Sequence, residues 1–356
     1  MTRPVLHALA WPGGLGGAAR SVEETCAAQL RNGVTAEAWL CTANRLTPSP
    51  VPERFAARGV PVHRWTADTF LAPRAVRDLT RRLRALGPDA VLHTHGERAL
   101  LWGLAAAGLT GARHVHTMHG WIRNTMADRR REERARSLLA RVDAVVAVHD
   151  VVAEGFAGAH VVPNTLDARR FSRAAGDRER TRRHWGLGAA DRVYLFLGRL
   201  AAEKGADRLA VIQARLQTVS AAGRLVVAGS GPLGPGVEAM TDVRMLGERA
   251  DPAAVLAAAD VVLMPSRSEG LPMTALEAAA VQVPLVGFPV GGLADSGLAL
   301  TVPDGDVDRL VDAAVRLVRD DALRARALDQ STSALAGPFA PARHAAALSD
   351  IYDGRA

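Results

Sequence analysis

The sequence predicts an α/β fold built from two parallel-sheet domains. Short apolar runs alternate with helical patterns along most of the 356 residues, which is typical of parallel strands joined by crossover helices. The alternation occurs twice, and the stretch 161–171 between the halves contains Pro and Asn residues that break both patterns. A chain of this length is also too long for one average core. We therefore expect two domains, with the boundary in that stretch.

The strands of both domains follow from the apolar runs. Those predicted in the first half are 5–10, 34–41, 90–95, 113–117 and 144–148. Those predicted in the second half are 193–198, 225–229, 243–247, 260–265 and 284–288. A helical region follows from 304, and Gly and Pro residues at 337–341 separate it from a last helix that ends near Tyr352. The predicted domains are 1–165 together with the C-terminal helix 340–356, and 166–339.

Composition excludes some classes of partner. Hydrophobic residues make up 48% of the chain and charged residues 23%, as in ordinary globular domains. The net charge of +7 suggests nucleic acid or an anionic surface, but acidic residues are interleaved with the basic ones. The densest basic run, 129–136, contains its own carboxylates and has helical spacing, so we interpret it as a solvated helix face. With only 4% aromatic residues to stack on bases, we do not expect a nucleic-acid partner.

The cysteines and the lengths of the apolar runs indicate the cellular compartment. Cys26 and Cys41 lack metal-binding spacing, so we expect packed thiols in a reducing environment. No apolar run is long enough to cross a bilayer, and residues 1–14 show no signal-peptide cleavage pattern. These features predict a cytoplasmic protein. The segment 74–85 forms a basic amphipathic helix, which is either a crossover helix with a charged outer face, as we favour, or a helix that rests on anionic lipid at the inner membrane face.

Ligands of parallel α/β sheets bind beyond the carboxyl ends of the strands, beside helix N-termini. The glycine-rich stretch 13–19 follows the first predicted strand and formally fits the dinucleotide fingerprint G-x-G-x-x-A. That fingerprint also needs an acidic residue near the end of the second strand, where this chain has CTAN at 41–44. The stretch is therefore either an anion-binding loop with bare backbone N–H groups or a tight strand-to-helix turn.

Lys204 is the only lysine in a chain with 44 Lys plus Arg. Arg199 precedes it at the tip of a predicted strand, and we expect Lys204 on the first turn of the next helix. The two cations can converge on one anionic group. An ammonium is compact and has three rotatable donors, so it fits against a phosphate oxygen where a planar guanidinium clashes. The alternative is a lysine that occurs by chance on a surface helix.

Two glutamates flank a predicted helix start in the stretch SEGLPMTALE at 268–277. Glu269 lies in the turn after a strand, Pro272 suits the first helical position, and Glu277 follows one and a half turns into the helix. Eight residues along a helix span at most roughly 12 Å, comparable to the distance from a sugar across a diphosphate to a ribose. The amides of Leu271, Met273 and Thr274 would form an anion site between the carboxylates. Alternatively, Glu269 is a helix-capping acid and Glu277 an ordinary surface residue.

Six motifs in order resemble the retaining glycosyltransferases of family 4, which have the GT-B fold. The motifs are GGAAR at 16–20, TMHG at 117–120, VPNTLDARRF at 162–171, GRLAAEKG at 198–205, GSGP at 229–232 and the two glutamates of 268–277. The resemblance covers nearly the whole chain. It implies two Rossmann-like domains that face each other across a cleft, the first on the acceptor side and the second on the side of the nucleotide-sugar donor.

The resemblance also implies roles. Arg199 and Lys204 would hold the donor diphosphate and stabilise charge on the leaving phosphate. Glu269 would bind donor-sugar hydroxyls, Glu277 the ribose hydroxyls, and His119 would contact the sugar near the anomeric carbon. Further donor contacts are expected from Gly16, Gly17, Gly231, Gly270, Leu271, Pro272, Met273 and Thr274, with Gly247 and Arg249 near the base. Neither a cofactor nor a metal is implied, because the cations and a helix dipole take the place of the metal.

Three positions depart from the family pattern. Thr165 replaces a glycine in the interdomain motif, Gln282 replaces the glycine that usually precedes V-P, and Asp295 stands where glutamate is common. Each lies outside the predicted diphosphate site, so the departures bear on which sugar is used.

Histidines raise an alternative for the first domain. The five are His93, His95, His114, His116 and His119. Pairs at i and i+2 share a strand face, so a zinc site is conceivable, although Glu97 is the only acidic partner nearby. Histidines packed at strand ends near a polar cleft are the interpretation we favour.

We therefore expect an enzyme that transfers a sugar from a nucleotide-diphosphate donor to an acceptor hydroxyl with retention at the anomeric carbon. The acceptor is a small molecule, a glycan or a lipid-linked group. A front-face route and a double displacement through Glu269 both retain configuration. The remaining alternatives are a nucleotide-sugar epimerase or hydrolase on the same fold, a non-catalytic nucleotide-sugar sensor and, last, a nucleic-acid binder.

Overall fold

The computed structural model describes residues 2–11, 16–42, 50–66, 72–120, 126–171, 178–220, 222–249 and 251–356. The chain divides into two compact units. The N-terminal unit comprises Met1–Thr165 and Phe339–Ala356, and the C-terminal unit comprises Leu166–Pro338. Each unit has its own parallel sheet and its own hydrophobic core.

The N-terminal unit contains a seven-stranded sheet in the order β3-β2-β1-β4-β5-β6-β7. Its strands are β1 (Val5–Trp11), β2 (Ala36–Thr42), β3 (Val62–Thr66), β4 (Val91–His95), β5 (Arg113–Met118), β6 (Ala144–Ala147) and β7 (His160–Val161). Its helices are α1 (Gly17–Arg31), α2 (Val51–Ala56), α3 (Pro73–Leu86), α4 (Glu97–Thr110), α5 (Met126–Leu139), α6 (Asp150–Ala153) and, from the end of the chain, α14 (Pro341–Tyr352).

The C-terminal unit contains a six-stranded sheet in the order β10-β9-β8-β11-β12-β13. Its strands are β8 (Arg192–Leu197), β9 (Gly223–Ala228), β10 (Val243–Gly247), β11 (Val261–Met264), β12 (Leu285–Gly287) and β13 (Leu300–Thr301). Its helices are α7 (Arg178–His184), α8 (Leu209–Val219), α9 (Gly234–Glu238), α10 (Pro252–Ala257), α11 (Met273–Ala280), α12 (Val307–Arg319) and α13 (Asp321–Ala336).

All ten predicted strands are present, with ends shifted by no more than two residues. The apolar runs identified them because strands covered on both faces are almost continuously apolar. Three strands were missed, and all lie at or next to a sheet edge: β3, β7 and β13. The sequence of β3, VHRWT, mixes polar and apolar residues, while β7 and β13 have two residues each. Strands of this kind carry little hydrophobic signal.

Adjacent residues of a strand place their side chains on opposite faces of the N-terminal sheet. Leu6 and Leu92 pack with Trp39 and Trp102 on the face that α3 and α4 cover. Their neighbours Val5 and Val91 pack on the other face, in a cluster that includes the α14 residues Leu348, Ile351 and Tyr352. Helix α14 therefore completes the core of the N-terminal unit.

Other predictions for this unit have mixed outcomes. Cys26 and Cys41 are free and buried, as expected, and burial raises the pKa of the Cys26 thiol. Segment 74–85 lies in α3, which buries Ala75, Leu79 and Leu83. The charged run 129–136 lies in α5, but Glu132 is buried and accepts a hydrogen bond from Arg136 Nε at 3.0 Å, so the run is not wholly solvated. Among the described residues, no helix is both long and apolar enough to cross a membrane.

Gly229 provides a test of how tightly the strand-end loops pack. Its φ is +146°, and a Cβ there would lie 1.9 Å from the carbonyl oxygen of Gly198. We expect Gly229→Ala to lower the free energy of unfolding by about 2–4 kcal/mol, because it adds backbone strain and overpacking. Thermal or urea unfolding of the full chain measures the change.

The matched control is Gly236→Ala, in α9, where an added Cβ meets nothing within 4 Å. Alanine is the better helix former, so this variant should be as stable as the parent or more stable by about 0.5–1 kcal/mol. Equal stability of the two variants would contradict the tight packing of Gly229 against Gly198.

Candidate functional site

The C-terminal sheet reverses its strand order between β8 and β11. These strands are neighbours, yet the chain continues from β8 to β9 on one side and from β11 to β12 on the other. Open α/β sheets bind ligands beyond the carboxyl ends of the strands at such a switch point. The segments that leave β8 and β11 carry Lys204 and Glu269, respectively.

Lys204 and Glu269 form an ion pair at this point. Lys204 Nζ donates to Glu269 Oε2 at 2.6 Å, and the Ser266 hydroxyl donates to Glu269 Oε1 at 2.8 Å. The lysine side chain is 31% exposed and the glutamate side chain 6%. The carboxylate is therefore held from inside while the ammonium stays accessible to a ligand.

The backbone fixes the position of this pair. Lys204 ends a 3-10 turn at Ala202–Lys204, and α8 begins only at Leu209, so the expectation that Lys204 lies on the first turn of that helix is wrong. The N–H groups of Arg267 and Ser268 donate to the Glu203 carbonyl at 2.8 and 3.3 Å. These bonds tie the lysine segment to the glutamate segment.

Gly205 is the residue that lets the two segments come so close. Its φ is +71°, and a Cβ there would lie 2.0 Å from the carbonyl oxygen of Pro265. A left-handed conformation in contact with another backbone suits glycine alone. The glycine that directly follows Lys204 is therefore part of the geometry of the site.

Arg199 pairs with Glu203, a residue to which the sequence analysis gave no role. Arg199 Nη2 donates to Glu203 Oε1, with 52% of the arginine side chain exposed and 5% of the glutamate side chain. The buried acid orients an accessible cation, as Glu269 does for Lys204. The sequence did contain a signal for Glu203, because this acidic residue lies four positions after Arg199 and directly before Lys204.

Helix α11 begins close to Glu269. The first helical residue is Met273, and Pro272 is the N-cap with φ −72° and ψ 123°, so Pro272 lies one position before the place predicted for it. Glu269 is not a capping acid, because its carboxylate is bonded by Lys204 and Ser266. The predicted donor-binding residues of this stretch are all buried: Gly270, Leu271, Pro272, Met273 and Thr274.

Glu277 lies just over one turn into α11 and is 2% exposed. The alternative in which it is an ordinary surface residue is therefore wrong. A carboxylate is almost never fully buried unless it is paired, and Glu277 interacts with other parts of the protein. Its burial among small residues fits a specific polar role.

The loop after β9 lies between the β8 loop and the end of β10. Leu200 N–H donates to the Ser230 carbonyl at 2.9 Å, and a Cβ on Gly231 would lie 2.5 Å from the Leu200 carbonyl oxygen. Gly247 ends β10 and accepts a hydrogen bond from Gly229 N–H at 2.8 Å. Arg249 is exposed. Gly247 and Arg249, which are predicted near the base, therefore lie at and just beyond the end of β10, next to the β9 loop.

In the N-terminal unit, Gly16 is the N-cap of α1, and Gly17 is its first residue. Both are exposed, and an added Cβ on either would meet nothing within 4 Å. The first three residues of the glycine-rich stretch, 13–15, and residues 43–44 of the CTAN sequence lie outside the described residues.

Two departures from the family pattern have structural reasons. Thr165 Oγ1 donates to the Phe339 carbonyl at 2.7 Å and so links the two segments of the N-terminal unit. Gln282 has φ +59°, a conformation that explains the glycine expected there, and its amide donates to Ala279 O and Thr332 Oγ1. Asp295 interacts within the protein.

The sheet separates the five histidines considered for a metal site. His114 Nε2 and His116 Nδ1 each lie 2.9 Å from Thr94 Oγ1. His93 and His95 point to the opposite face from Thr94, because side chains alternate along a strand. There they meet His7 of β1, which the sequence analysis had not included, and the three rings offer ligand atoms within 4.8 Å of one another.

His119 follows β5 and is half-buried. Its Nε2 lies 3.1 Å from His95 Nδ1, whereas its Nδ1 is inaccessible and has no hydrogen-bond partner among the described residues. Burial lowers the pKa of His119 to about 4, so the ring is neutral at pH 7.

The sequence matches two family descriptions. Residues 15–170 match Glycosyltransferase Family 4, and residues 191–320 match Glycosyl transferases group 1. The D-inositol 3-phosphate glycosyltransferase of Actinosynnema mirum is 30% identical over 329 residues, which cover 79% of this chain and 78% of that protein.

Other curated relatives align over less of their length. The alpha-D-kanosaminyltransferase of Streptomyces kanamyceticus is 29% identical over 200 residues, which cover 52% of this chain and 50% of that protein. In the alignments with that protein and two further curated relatives, this chain spans only 34–50% of the relative's length.

A solved structure shares the fold along the whole chain. The Anabaena protein HepE, crystallised with UDP-glucose, has a TM-score of 0.81 at 18% identity, covering 98% of this chain and 99% of that one. The two parallel-sheet domains thus have the GT-B fold. Together with the family matches and the Actinosynnema relative, this shows that the chain belongs to the group 1 glycosyltransferases of family 4.

Proposed function

We propose that this protein transfers a sugar from a nucleotide-diphosphate donor to an acceptor hydroxyl, with retention and without a metal ion. The observation that carries the proposal is the Lys204–Glu269 ion pair at the switch point of the C-terminal sheet. A cation for phosphate and a carboxylate for sugar hydroxyls are the two groups that a nucleotide sugar needs side by side.

The ion pair can bind a donor without being broken. Lys204 has three N–H donors, and one of them is used by Glu269. The others are available to a phosphate oxygen on the exposed side of the ammonium. Arg199 adds a second accessible cation, held by the buried Glu203. The diphosphate thus meets positive charge whose orientation is set before binding, which is the arrangement that stabilises a leaving group most.

The mechanism that we propose is a front-face displacement. The acceptor oxygen bonds to the anomeric carbon on the face from which the phosphate leaves, while the carbon–phosphate oxygen bond breaks. The acceptor proton passes to the leaving phosphate oxygen. Lys204 and Arg199 stabilise the charge on that phosphate, and the helix start at Met273 adds its positive dipole end.

The contacts of Glu269 favour this route over a double displacement. An ammonium binds one of its oxygens and a hydroxyl binds the other. Both bonds draw electron density from the carboxylate and so make it a weaker nucleophile. Each oxygen still has a lone pair that can accept a hydrogen bond from a sugar hydroxyl. We assign Glu269 to the sugar hydroxyls, the buried Glu277 to the ribose hydroxyls and His119 to a sugar contact near the anomeric carbon.

The donor base and the acceptor are left at the level of chemical class. D-inositol 3-phosphate is part of the name of the Actinosynnema relative, and UDP-glucose is bound in the HepE structure. We do not transfer either compound to this chain. For this chain we propose a nucleoside diphosphate sugar and a hydroxyl acceptor, in a cytoplasmic setting, with the outer face of α3 as the candidate for a membrane contact.

Lys204→Ala tests the diphosphate contact. We expect it to abolish the rise in melting temperature that a donor produces, because ligand stabilisation follows donor affinity. Lys204→Arg should recover little of the rise, since a planar guanidinium does not reproduce the 2.6 Å contact to Glu269. A thermal-shift screen over UDP-, GDP-, ADP- and dTDP-sugars provides the measurement.

Two controls accompany that screen. Arg215→Ala removes another paired cation of the same unit, which contacts Asp308 and Asp312, and should leave the donor-induced rise intact. His119→Ala should keep most of the rise and mainly lower turnover. Undiminished donor binding by the Lys204→Ala variant would refute the assignment of the site.

Glu269→Gln tests the role of the carboxylate. We expect turnover to fall about 100-fold or more, with a smaller change in donor affinity, because the variant keeps the volume but loses the charge that orients Lys204. Glu238→Gln, an exposed carboxylate of α9, is the control and should be fully active. Recovery of Glu269→Ala turnover by added azide, with a glycosyl azide as product, would instead indicate a nucleophilic Glu269.

Chelation tests metal independence. Prolonged dialysis against EDTA should leave the transfer rate unchanged, since Arg199, Lys204 and the α11 start supply the positive charge. Released nucleotide and glycosylated product are measured in parallel, with and without acceptor. Loss of activity that a divalent cation restores would contradict this part of the proposal, and nucleotide release that does not require an acceptor would indicate a hydrolase.

A further inference from the structure

A chain of hydrogen-bonded side chains crosses the interior of the N-terminal unit and ends at His119. His119 Nε2 lies 3.1 Å from His95 Nδ1, and His95 Nε2 lies 3.0 Å from His7 Nδ1. His7 Nε2 lies 2.8 Å from Gln29 Oε1. These four side chains come from the loop after β5 and from β4, β1 and α1.

The chain continues beyond Gln29. Its amide Nε2 donates to the Tyr352 hydroxyl at 2.9 Å, and that hydroxyl lies 2.7 Å from His93 Nδ1. His93 Nε2 in turn lies 2.6 Å from Thr117 Oγ1. Apart from His119, every member is buried. We call these seven side chains the relay: His7, Gln29, His93, His95, Thr117, His119 and Tyr352.

The Gln29 amide sets the direction of the relay. A carbonyl oxygen only accepts hydrogen bonds, so His7 Nε2 carries a proton and donates it to Gln29 Oε1. A neutral imidazole has one donor and one acceptor nitrogen. His7 Nδ1 therefore accepts, and His95 Nε2 donates to it. Because His95 Nε2 has the proton of that ring, His95 Nδ1 accepts a hydrogen bond from His119 Nε2. His119 Nε2 is therefore the protonated nitrogen, and His119 Nδ1 has a lone pair.

The rings are neutral, as this reasoning requires. Burial lowers the pKa of His7 and of His119 to about 4, and it lowers the pKa values of His93 and His95 well below the usual range. At neutral pH, each ring thus has one proton to place. With a single proton on each ring, the relay has one direction for a given orientation of the Gln29 amide.

We propose that the relay holds His119 in the Nε2–H tautomer, so that its Nδ1 offers a hydrogen-bond acceptor to the substrate. His95, His7 and Gln29 act as positioning residues. His95 contacts His119 directly, and His7 and Gln29 act on it through the hydrogen bonds that lead to His95. The contact between His119 and the donor sugar rests on the proposed function.

One observation supports a substrate contact at the Nδ1 lone pair. Among the described residues this atom has no partner, although it is inaccessible in the structure. A group that contacts Nδ1 has to donate a proton, as a sugar hydroxyl does, whereas a carboxylate meets a lone pair there.

Zinc is the competing explanation for the buried histidines, because His7, His93 and His95 offer ligand atoms within 4.8 Å. However, both ring nitrogens of each of the three already have a hydrogen-bond partner. Those partners are side chains of matching donor and acceptor character. The relay thus accounts for all three rings.

The first test is the tautomer of His119 in the unliganded full chain. Long-range proton–nitrogen NMR correlations on protein labelled with ¹⁵N-histidine distinguish the two neutral tautomers, and a His119→Gln sample assigns the signal. We expect His7, His95 and His119 all as Nε2–H tautomers, with no stoichiometric metal in the purified protein. An Nδ1–H tautomer at His119, or one equivalent of zinc, would overturn the proposal.

The second test changes the residue that sets the direction. Gln29→Met keeps the size of the side chain but removes the acceptor for the His7 proton. One N–H is then buried without a partner in either direction of the relay, on His7 Nε2 or, if the three rings reverse, on His119 Nδ1. The parent's preference for the Nε2–H tautomer of His119 is thereby lost. We therefore expect the His119 signal to shift toward the Nδ1–H tautomer and turnover to fall with the lost fraction.

Thr25→Val is the matched control. It removes the 3.0 Å bond from Thr25 Oγ1 to His344 Nε2, which also joins α1 to α14, and leaves the relay intact. Its His119 tautomer should equal that of the parent. An unchanged His119 tautomer in folded Gln29→Met protein would overturn the proposal. Because the tautomers are measured without a sugar nucleotide, the result stands even if the protein proves not to be a transferase.

Discussion

An ion pair between two loops, Lys204 with Glu269, is the interaction on which the C-terminal site depends. One residue follows β8 and the other follows β11, so the pair joins two separate segments of the C-terminal unit. The backbone holds both loops in contact through Glu203 and through Gly205, so the charges meet at a defined point of the sheet. An accessible cation backed by a buried acid occurs twice here. In the function that we propose, this arrangement offers an anionic ligand positive charge that is already oriented.

The N-terminal unit differs in that it buries many polar histidine rings. One face of its sheet holds histidines where apolar side chains would cost less to bury. The cost is offset because both ring nitrogens of His7, His93 and His95 have hydrogen-bond partners, and only Nδ1 of His119, at the end of the relay, has none among the described residues. A fully bonded polar network is rigid and admits few alternative arrangements. The polar core is thus suited to hold the side chain at its end in one orientation.

How far the sequence predicts this structure depends on the range of each contact. The ten predicted strands and the two parallel sheets follow from local patterns, because strand burial is visible in short stretches. His7 and Tyr352 were missed because their contacts reach across the chain: Tyr352 bonds Gln29, 323 positions earlier. Glu203 was missed because an acidic residue beside a lysine looks like surface charge until its burial is known. Three of the four edge strands, β3, β7 and β13, were missed because they are short or mix polar and apolar residues, and none of their residues is fully buried.

The return of α14 to the N-terminal unit affects the order in which the protein can fold on the ribosome. Segments 1–165 and 339–356 form one unit, and the whole C-terminal unit is synthesised between them. At typical synthesis rates of about 5–20 residues per second, the first segment waits on the order of ten to thirty seconds for its last helix. During that time the side chains of Leu348, Ile351 and Tyr352 cannot cover their sheet face. The nascent chain therefore carries an incomplete first domain, a natural substrate for chaperones, until translation of the second is finished.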